Sequence, residues 1–257
     1  MSVTNINEIS DDGDDTSQNF YWKDFLSRLA DVLMRREYAC ALAMAEFALA
    51  RKSSPEGRGL ILCAKGTALG GMNKFSEAIP VMREALATDR DNPEIISKLS
   101  QLLALDVLGT GPVLNRPLAP AEKKKLNEAL SHSLQALKAF PLSSPIYSNI
   151  GLIHTALGQY SEALPFLKKN CELMARHIEN PSLYYNAVCS YVATLSYEAR
   201  DEHLKEADRL LERSCIEAQA DGLNDAANMM RQWRSELRKI PRFPSRYGEK
   251  PFELLMN

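Results

Sequence analysis

Residues 144–170, SPIYSNIGLIHTALGQYSEALPFLKKN, read as two short amphipathic helices joined by a tight turn. Residues three and four apart lie side by side on a helix. Tyr147, Ile150, Gly151 and His154 therefore share one face of the first helix, and Ala163 and Leu167 share the facing side of the second. Gly151 carries no Cβ and lets two helix backbones approach closely, with Ala163 as the small residue opposite. Gly158-Gln159-Tyr160 supplies the break, since Gly158 is free to take a positive φ at the end of the first helix.

Working outward, the same spacing recurs. Gly66 stands twelve residues before Ala78, as Gly151 stands before Ala163. Phe75 precedes Ala78 by three, as Tyr160 precedes Ala163 and Tyr38 precedes Ala41. A fixed offset in three places points to a repeated helix pair. The unit resembles the tetratricopeptide (TPR) repeat, whose pattern is W-x2-L-G-x2-Y, then A-x3-F, then P. Tyr147 replaces the Trp, Ile150 the Leu, His154 the Tyr and Leu167 the Phe. The resemblance extends over roughly residues 20–220 and implies an all-α, right-handed TPR-like helical solenoid with a C-terminal capping helix.

The chain divides accordingly. Residues 1–19 form an acidic head, too poor in apolar side chains to offset the entropy of ordering. Residues 20–222 are expected to hold four to five helix pairs. In the first, Phe25, Leu29 and Val32 face Ala41, Ala45 and Ala48, with Leu29 where Gly is usual. The second spans Gly59 to Asn92, and Pro93 then opens the next helix, where a missing N–H costs little. In the third pair, Ile96, Leu99 and Leu103 precede Ala129, Ser133 and Ala136, interrupted by an inserted loop near 106–121 that holds prolines no helix interior tolerates. A fifth pair runs from Pro181 to Ala220. Residues 223–240 form the cap, with Ala226, Met230, Trp233, Leu237 and Ile240 on one apolar stripe. Residues 241–257 form an extended tail, interrupted by Pro241, Pro244 and Pro251.

Composition narrows the function. The 257 residues are 45% hydrophobic and 25% charged, with a net charge of −2, so no overall field draws the chain to nucleic acid or an anionic membrane. Seven basic residues between Arg231 and Lys250 are thin support for a nucleic-acid role. Five scattered cysteines form no C-x-x-C pair and suit a reducing, cytoplasmic setting. The first residues lack the basic start and apolar core of a signal peptide. No apolar run approaches the roughly 20 residues that span a bilayer.

Chemistry is equally sparse. His132, His154, His177 and His203 share no metal-binding spacing, and His154 stands where the repeat places a packing Tyr. Asp11 to Asp15 lacks the spacing and closing Glu of a calcium loop. Gly109-Thr110-Gly111 is followed by no Gly-Lys-Ser/Thr and so is no phosphate loop. No G-x-S-x-G nucleophile elbow occurs. No cofactor, no metal and no catalysis are expected.

The resemblance instead implies a concave groove lined by the first helix of each pair, at its second, fifth, sixth, ninth and twelfth positions. These are Cys63, Ala64 and Thr67 in the second pair, and Ser97, Lys98 and Gln101 in the third. Ser148, Asn149, Leu152 and Thr155 follow in the fourth, and Tyr184, Tyr185, Val188 and Tyr191 in the fifth. Small polar residues and Tyr suit an extended peptide, so the expected partner is a protein or peptide held by an adaptor or chaperone. A self-associating scaffold and a regulatory TPR subunit of an enzyme are the alternatives, and the sequence leaves the oligomeric state open. The Lys and Asn pairs with which TPR proteins hold the terminal carboxylates of heat-shock chaperones do not recur here.

Overall fold

The computed structural model describes residues 15–50, 55–109, 117–175, 181–198 and 200–239. Every regular element among them is an α-helix. They divide into two compact units, one ending at Asp91 and the other beginning at Asn92.

The first unit holds α1 (Asp15–Met34), α2 (Tyr38–Leu49), α3 (Pro55–Gly71) and α4 (Phe75–Thr88). Helix α1 starts inside the segment expected to be an acidic head. Acidic residues favour a helix N-terminus, where the backbone dipole is positive, and their charge alone therefore did not mark the end of order. Residues 1–14 lie outside the described residues. Leu29, Ala41, Ala64 and Ala68 pack as one buried cluster, with Phe25, Val32 and Tyr38 against it.

The second unit holds α5 (Pro93–Leu108), α6 (Pro120–Ala139), α7 (Ser144–Ala156) and α8 (Tyr160–Met174). It continues with α9 (Pro181–Glu198), α10 (Asp201–Ala220) and α11 (Asn224–Lys239). Helices α5 and α6 pack as a pair, as do α7 and α8, while α9 packs on α8, α10 and α11. The start of α5 is set locally. Asn92 accepts from the N–H groups of Glu94 and Ile95 at 3.0 and 3.2 Å, and Pro93 occupies the first turn. The interruption in the third pair is shorter than expected, since α5 continues to Leu108 and α6 starts at Pro120. Its centre, residues 110–116, lies outside the described residues. Lys125 of α6 pairs with Asp106 of α5 across its base.

One turn geometry closes four of these helices. After α7, Gln159 N–H donates to His154 O at 2.9 Å and Gly158 N–H to Thr155 O at 3.0 Å. This pair of hydrogen bonds satisfies the last carbonyls of a helix and needs a left-handed residue, here Gly158 at φ +76°. Arg36 after α1, Asn73 after α3 and Gly222 after α10 repeat it, at φ of 60°, 60° and 73°. The last case joins α10 to α11 by the turn that joins the two helices of a repeat.

The cap expected at 223–240 is α11. Ala227, Met230, Trp233 and Leu237 are buried in the same cluster as Tyr185, Val188, Leu211 and Ala218. Full burial of each large apolar side chain is worth about 1.5–3 kcal/mol, so α11 removes from water a face that α9 and α10 would otherwise leave open. The architecture is that of an all-α, TPR-like helical solenoid. The expected tail, 241–257, lies outside the described residues.

Candidate partner-binding face

In the second unit the first helices of successive pairs are neighbours: α5 lies beside α7, α7 beside α9, and α9 beside α11. The residues expected to line a groove therefore fall on one layer of helices, but they do different things there.

On α5, Gln101 is exposed and Ser97 and Lys98 are half-buried. On α7, Ser148 and Leu152 are half-buried. Among the described residues, none of the polar side chains of these five is tied to another helix by an ion pair or hydrogen bond. Asn149, by contrast, donates to Ser100 Oγ at 2.8 Å and to Ser133 Oγ at 2.9 Å. Ser100 itself donates to Ala129 O at 2.7 Å and lies in hydrogen-bond contact with Ser133. An amide nitrogen has two protons, and both of Asn149's tie α7 to the α5–α6 pair. Thr155 is buried, donating to Gly151 O at 2.9 Å and lying 3.0 Å from Thr194 Oγ1 on α9.

The tyrosines point to α10. Tyr191 is 6% exposed and donates its hydroxyl to Glu206 at 2.8 Å. Tyr184, half-buried, donates to Glu217 at 3.2 Å and meets the ring of Tyr185 edge-on at 5.2 Å. Burial pushes the phenols of Tyr184, Tyr185 and Tyr191 up, Tyr185 to about 12, so all three remain neutral donors across the physiological range. Val188 is fully buried. Cys63 and Thr67 belong to the first unit. Cys63 is buried on α3 and its carbonyl accepts from the Thr67 hydroxyl one turn later at 2.8 Å.

Two clusters were not legible in advance. The Ser100–Ser133–Asn149 contact joins three helices, with Ser100 and Asn149 49 residues apart in sequence, and only the fourth-position spacing of Ala129 and Ser133 hinted at it. The second lies between α10 and α11. Arg234 grips Asp208 with Nε at 2.9 Å and Nη2 at 3.1 Å, and reaches Glu212 with Nη1 at 2.7 Å. Arg238 grips the same carboxylate at 2.7 and 3.1 Å. Two guanidinium groups hold the Asp208 carboxyl well below the usual carboxylate range.

No group of His, Cys, Asp and Glu suited to a metal occurs among the described residues. His154 packs instead, stacked on Phe166 at 5.9 Å with Nδ1 2.8 Å from Gln159 Oε1. The five cysteines are free thiols, and burial pushes Cys171 and Cys189 up to about 12, which leaves them poor nucleophiles. No described helix is long and apolar enough to cross a membrane.

Comparison with known proteins agrees with this fold. Residues 144–173 match the model of the tetratricopeptide repeat family. The Hsp70-Hsp90 organizing protein 2 of Arabidopsis thaliana is 26% identical over 240 residues, a match covering 76% of this chain. The chain spans 42% of the length of that relative. Among solved structures, a thermophilic TPR protein of Thermus thermophilus superposes with a TM-score of 0.58 at 18% identity, covering 81% of this chain and 98% of that one. The pilF protein of Pseudomonas aeruginosa superposes at 0.50 and 16% identity, covering 92% and 99%. Residues 144–173 thus match the tetratricopeptide repeat, and the chain that carries them has the fold of TPR proteins.

Proposed function

We propose that this chain is a non-enzymatic adaptor or co-chaperone that holds a peptide segment of another protein against α5 and α7. The TPR fold supports a protein–protein interaction module. The observation that carries the finer reading is the contrast within one helix layer. Gln101, Ser97, Lys98, Ser148 and Leu152 remain open to solvent, while Asn149, Thr155, Tyr184 and Tyr191 are committed to other helices. Amide and hydroxyl groups flanking an apolar Leu152 offer a peptide backbone partners and one side chain a seat. The face spans the adjacent helices of two pairs, which suits an extended segment better than a small molecule.

The relative's name, an organiser of Hsp70 and Hsp90, makes a chaperone a reasonable class of partner. Capture of a terminal carboxylate is not the mode we favour, because the Asn149 amide already donates both protons to Ser100 and Ser133. Cytoplasmic residence, with neither nucleic acid nor membrane as partner, completes the reading. Affinity purification of the full chain from native lysate tests it. Proteins recovered with the wild type should be lost with the pair Gln101→Glu and Leu152→Glu, and kept with the outer-surface change Ser131→Glu. Equal recovery by all three would overturn the placement.

A further inference from the structure

Where α10 meets α11 the surface opens into a cleft of 510 Å3, away from the face just described. Leu204 and Leu237 form its apolar floor, with Leu237 only 4% exposed. Lys205, Arg209 and Arg238 stand around it, all exposed, together with Asp201 and Asp208. The charges do not cancel. Asp208 is gripped by both Arg234 and Arg238, so its charge is already neutralised. Arg238 uses Nε and Nη2 on that carboxylate and keeps Nη1 for a ligand. Lys205 and Arg209 have no ion-pair partner among the described residues. They lie four residues apart on one face of α10, where like charges repel and weaken the helix. An anion lying between them relieves that repulsion. Arg234 and Arg238 with Asp208 and Glu212 balance one another, so Lys205 and Arg209 face only Asp201 and the cleft keeps an excess of positive charge.

We propose that this cleft is a second docking site, which takes an acidic peptide segment of a partner protein in which carboxylates alternate with leucine-like side chains. The alternation follows from the lining. In an extended peptide successive side chains point to opposite sides, so leucine-like side chains at every second position can face the Leu204–Leu237 floor, while the carboxylates between them stay at the rim within reach of the long, exposed side chains of Lys205, Arg209 and Arg238. Burial of the apolar side chain supplies affinity, and the cations select the sequence and speed encounter. A peptide that is only acidic lacks the first, and one that is only apolar lacks the second.

Fluorescence anisotropy on the full chain tests this, with a fluorescein-labelled peptide of alternating glutamate and leucine as the probe. The probe should bind saturably, and an alternating glutamine and leucine peptide should bind roughly tenfold more weakly. Lys205→Glu with Arg209→Glu should weaken the glutamate peptide by about tenfold or more, while the circular dichroism stays that of the wild type, because neither side chain holds a structural partner. Gln101→Glu with Leu152→Glu should leave this binding unchanged, which separates the cleft from the α5–α7 face. The proposal is overturned if the charge-reversed chain binds as well as the wild type, or if the glutamine peptide competes equally. It is also overturned if the wild type does not bind at all. Binding that emerges only in Glu249→Gln with Glu253→Gln would assign the cleft to the chain's own tail rather than to a partner, and would equally overturn it.

Discussion

A Cβ placed on Gly151 would lie 2.5 Å from both Cγ and Cδ2 of Leu167, closer than real side chains approach. Leu167, one turn beyond Ala163, is thus the residue that fills the space Gly151 leaves, and α7 and α8 are locked at the distance this fit sets. The same offset in the first unit places Met82 against Gly66, with Cε 2.8 Å from the missing Cβ.

The two glycines should respond differently to alanine. A backbone atom stands 3.4 Å away at both sites, but at Gly151 the obstruction at 2.5 Å includes the branched Cγ of Leu167, which cannot swing clear, so the helices must part. Gly151→Ala is expected to destabilise by about 1–3 kcal/mol, overpacking outweighing the gain in helix propensity. At Gly66 the nearest atom is the mobile end of Met82, which can swing aside. Gly66→Ala should fall within about 1 kcal/mol of the wild type. Thermal denaturation of both variants decides it, and equal losses would contradict the assignment.

The turns make a second test. Gly158 has nothing within 4 Å of its missing Cβ, so Gly158→Ala isolates the cost of a positive φ. That cost is about 1–2 kcal/mol. Arg36 already bears it at φ 60°, and Arg36→Gly should stabilise by up to about 1 kcal/mol, less what glycine adds to the freedom of the unfolded chain. Urea unfolding measures both, and a destabilised Arg36→Gly would refute the turn assignment.

Asn149 should behave as a structural tie. Asn149→Ala removes two hydrogen bonds and is expected to cost about 1–3 kcal/mol. A double-mutant cycle with Ser133→Ala should show coupling of about 0.5 kcal/mol or more. Strict additivity would mean the two side chains act independently.

The Asp208 carboxyl predicts an acid sensitivity. Its folded pKa is depressed, first by hydrogen bonds from Arg234 and then from Arg238. A depressed carboxyl stabilises the fold above its unfolded value, about 3.9, and that contribution fades as pH falls through the folded value. Asp208→Asn should therefore flatten the loss of stability below about pH 4 while lowering stability near neutrality. A variant with an unchanged acid profile would contradict the role of the α10–α11 network.

The repeat was legible because its close contacts recur at fixed spacing, and the variations that were not legible are variations of the same contact. Gly151 with Leu167 becomes Ser100 with Ser133 in the third pair, where a hydrogen bond and the inserted amide of Asn149 replace apolar volume. In the first pair Leu29 and Ala45, at the same two positions and both buried, exchange large for small. Position alone showed that something packs there, not what. Tyr184 and Tyr191 illustrate the limit for the candidate face. Their spacing put them on the first-helix layer, yet a helix position does not say whether a hydroxyl meets solvent or an acidic neighbour such as Glu206 on the next helix. The Asp208–Arg234–Arg238 cluster lay out of reach for the same reason, since charges meet only once two helices are paired.

Site-specific photo-crosslinking tests the central claim most directly. A benzophenone amino acid is placed at Gln101 or Leu152 of the full chain, and at the outer positions Ser131 or Glu172, all four being surface or half-exposed sites. After irradiation in native lysate, Gln101 and Leu152 should capture one shared protein that Ser131 and Glu172 do not. If all four positions capture the same proteins, or if only the outer pair captures any, the α5–α7 face is not where this chain holds its partner.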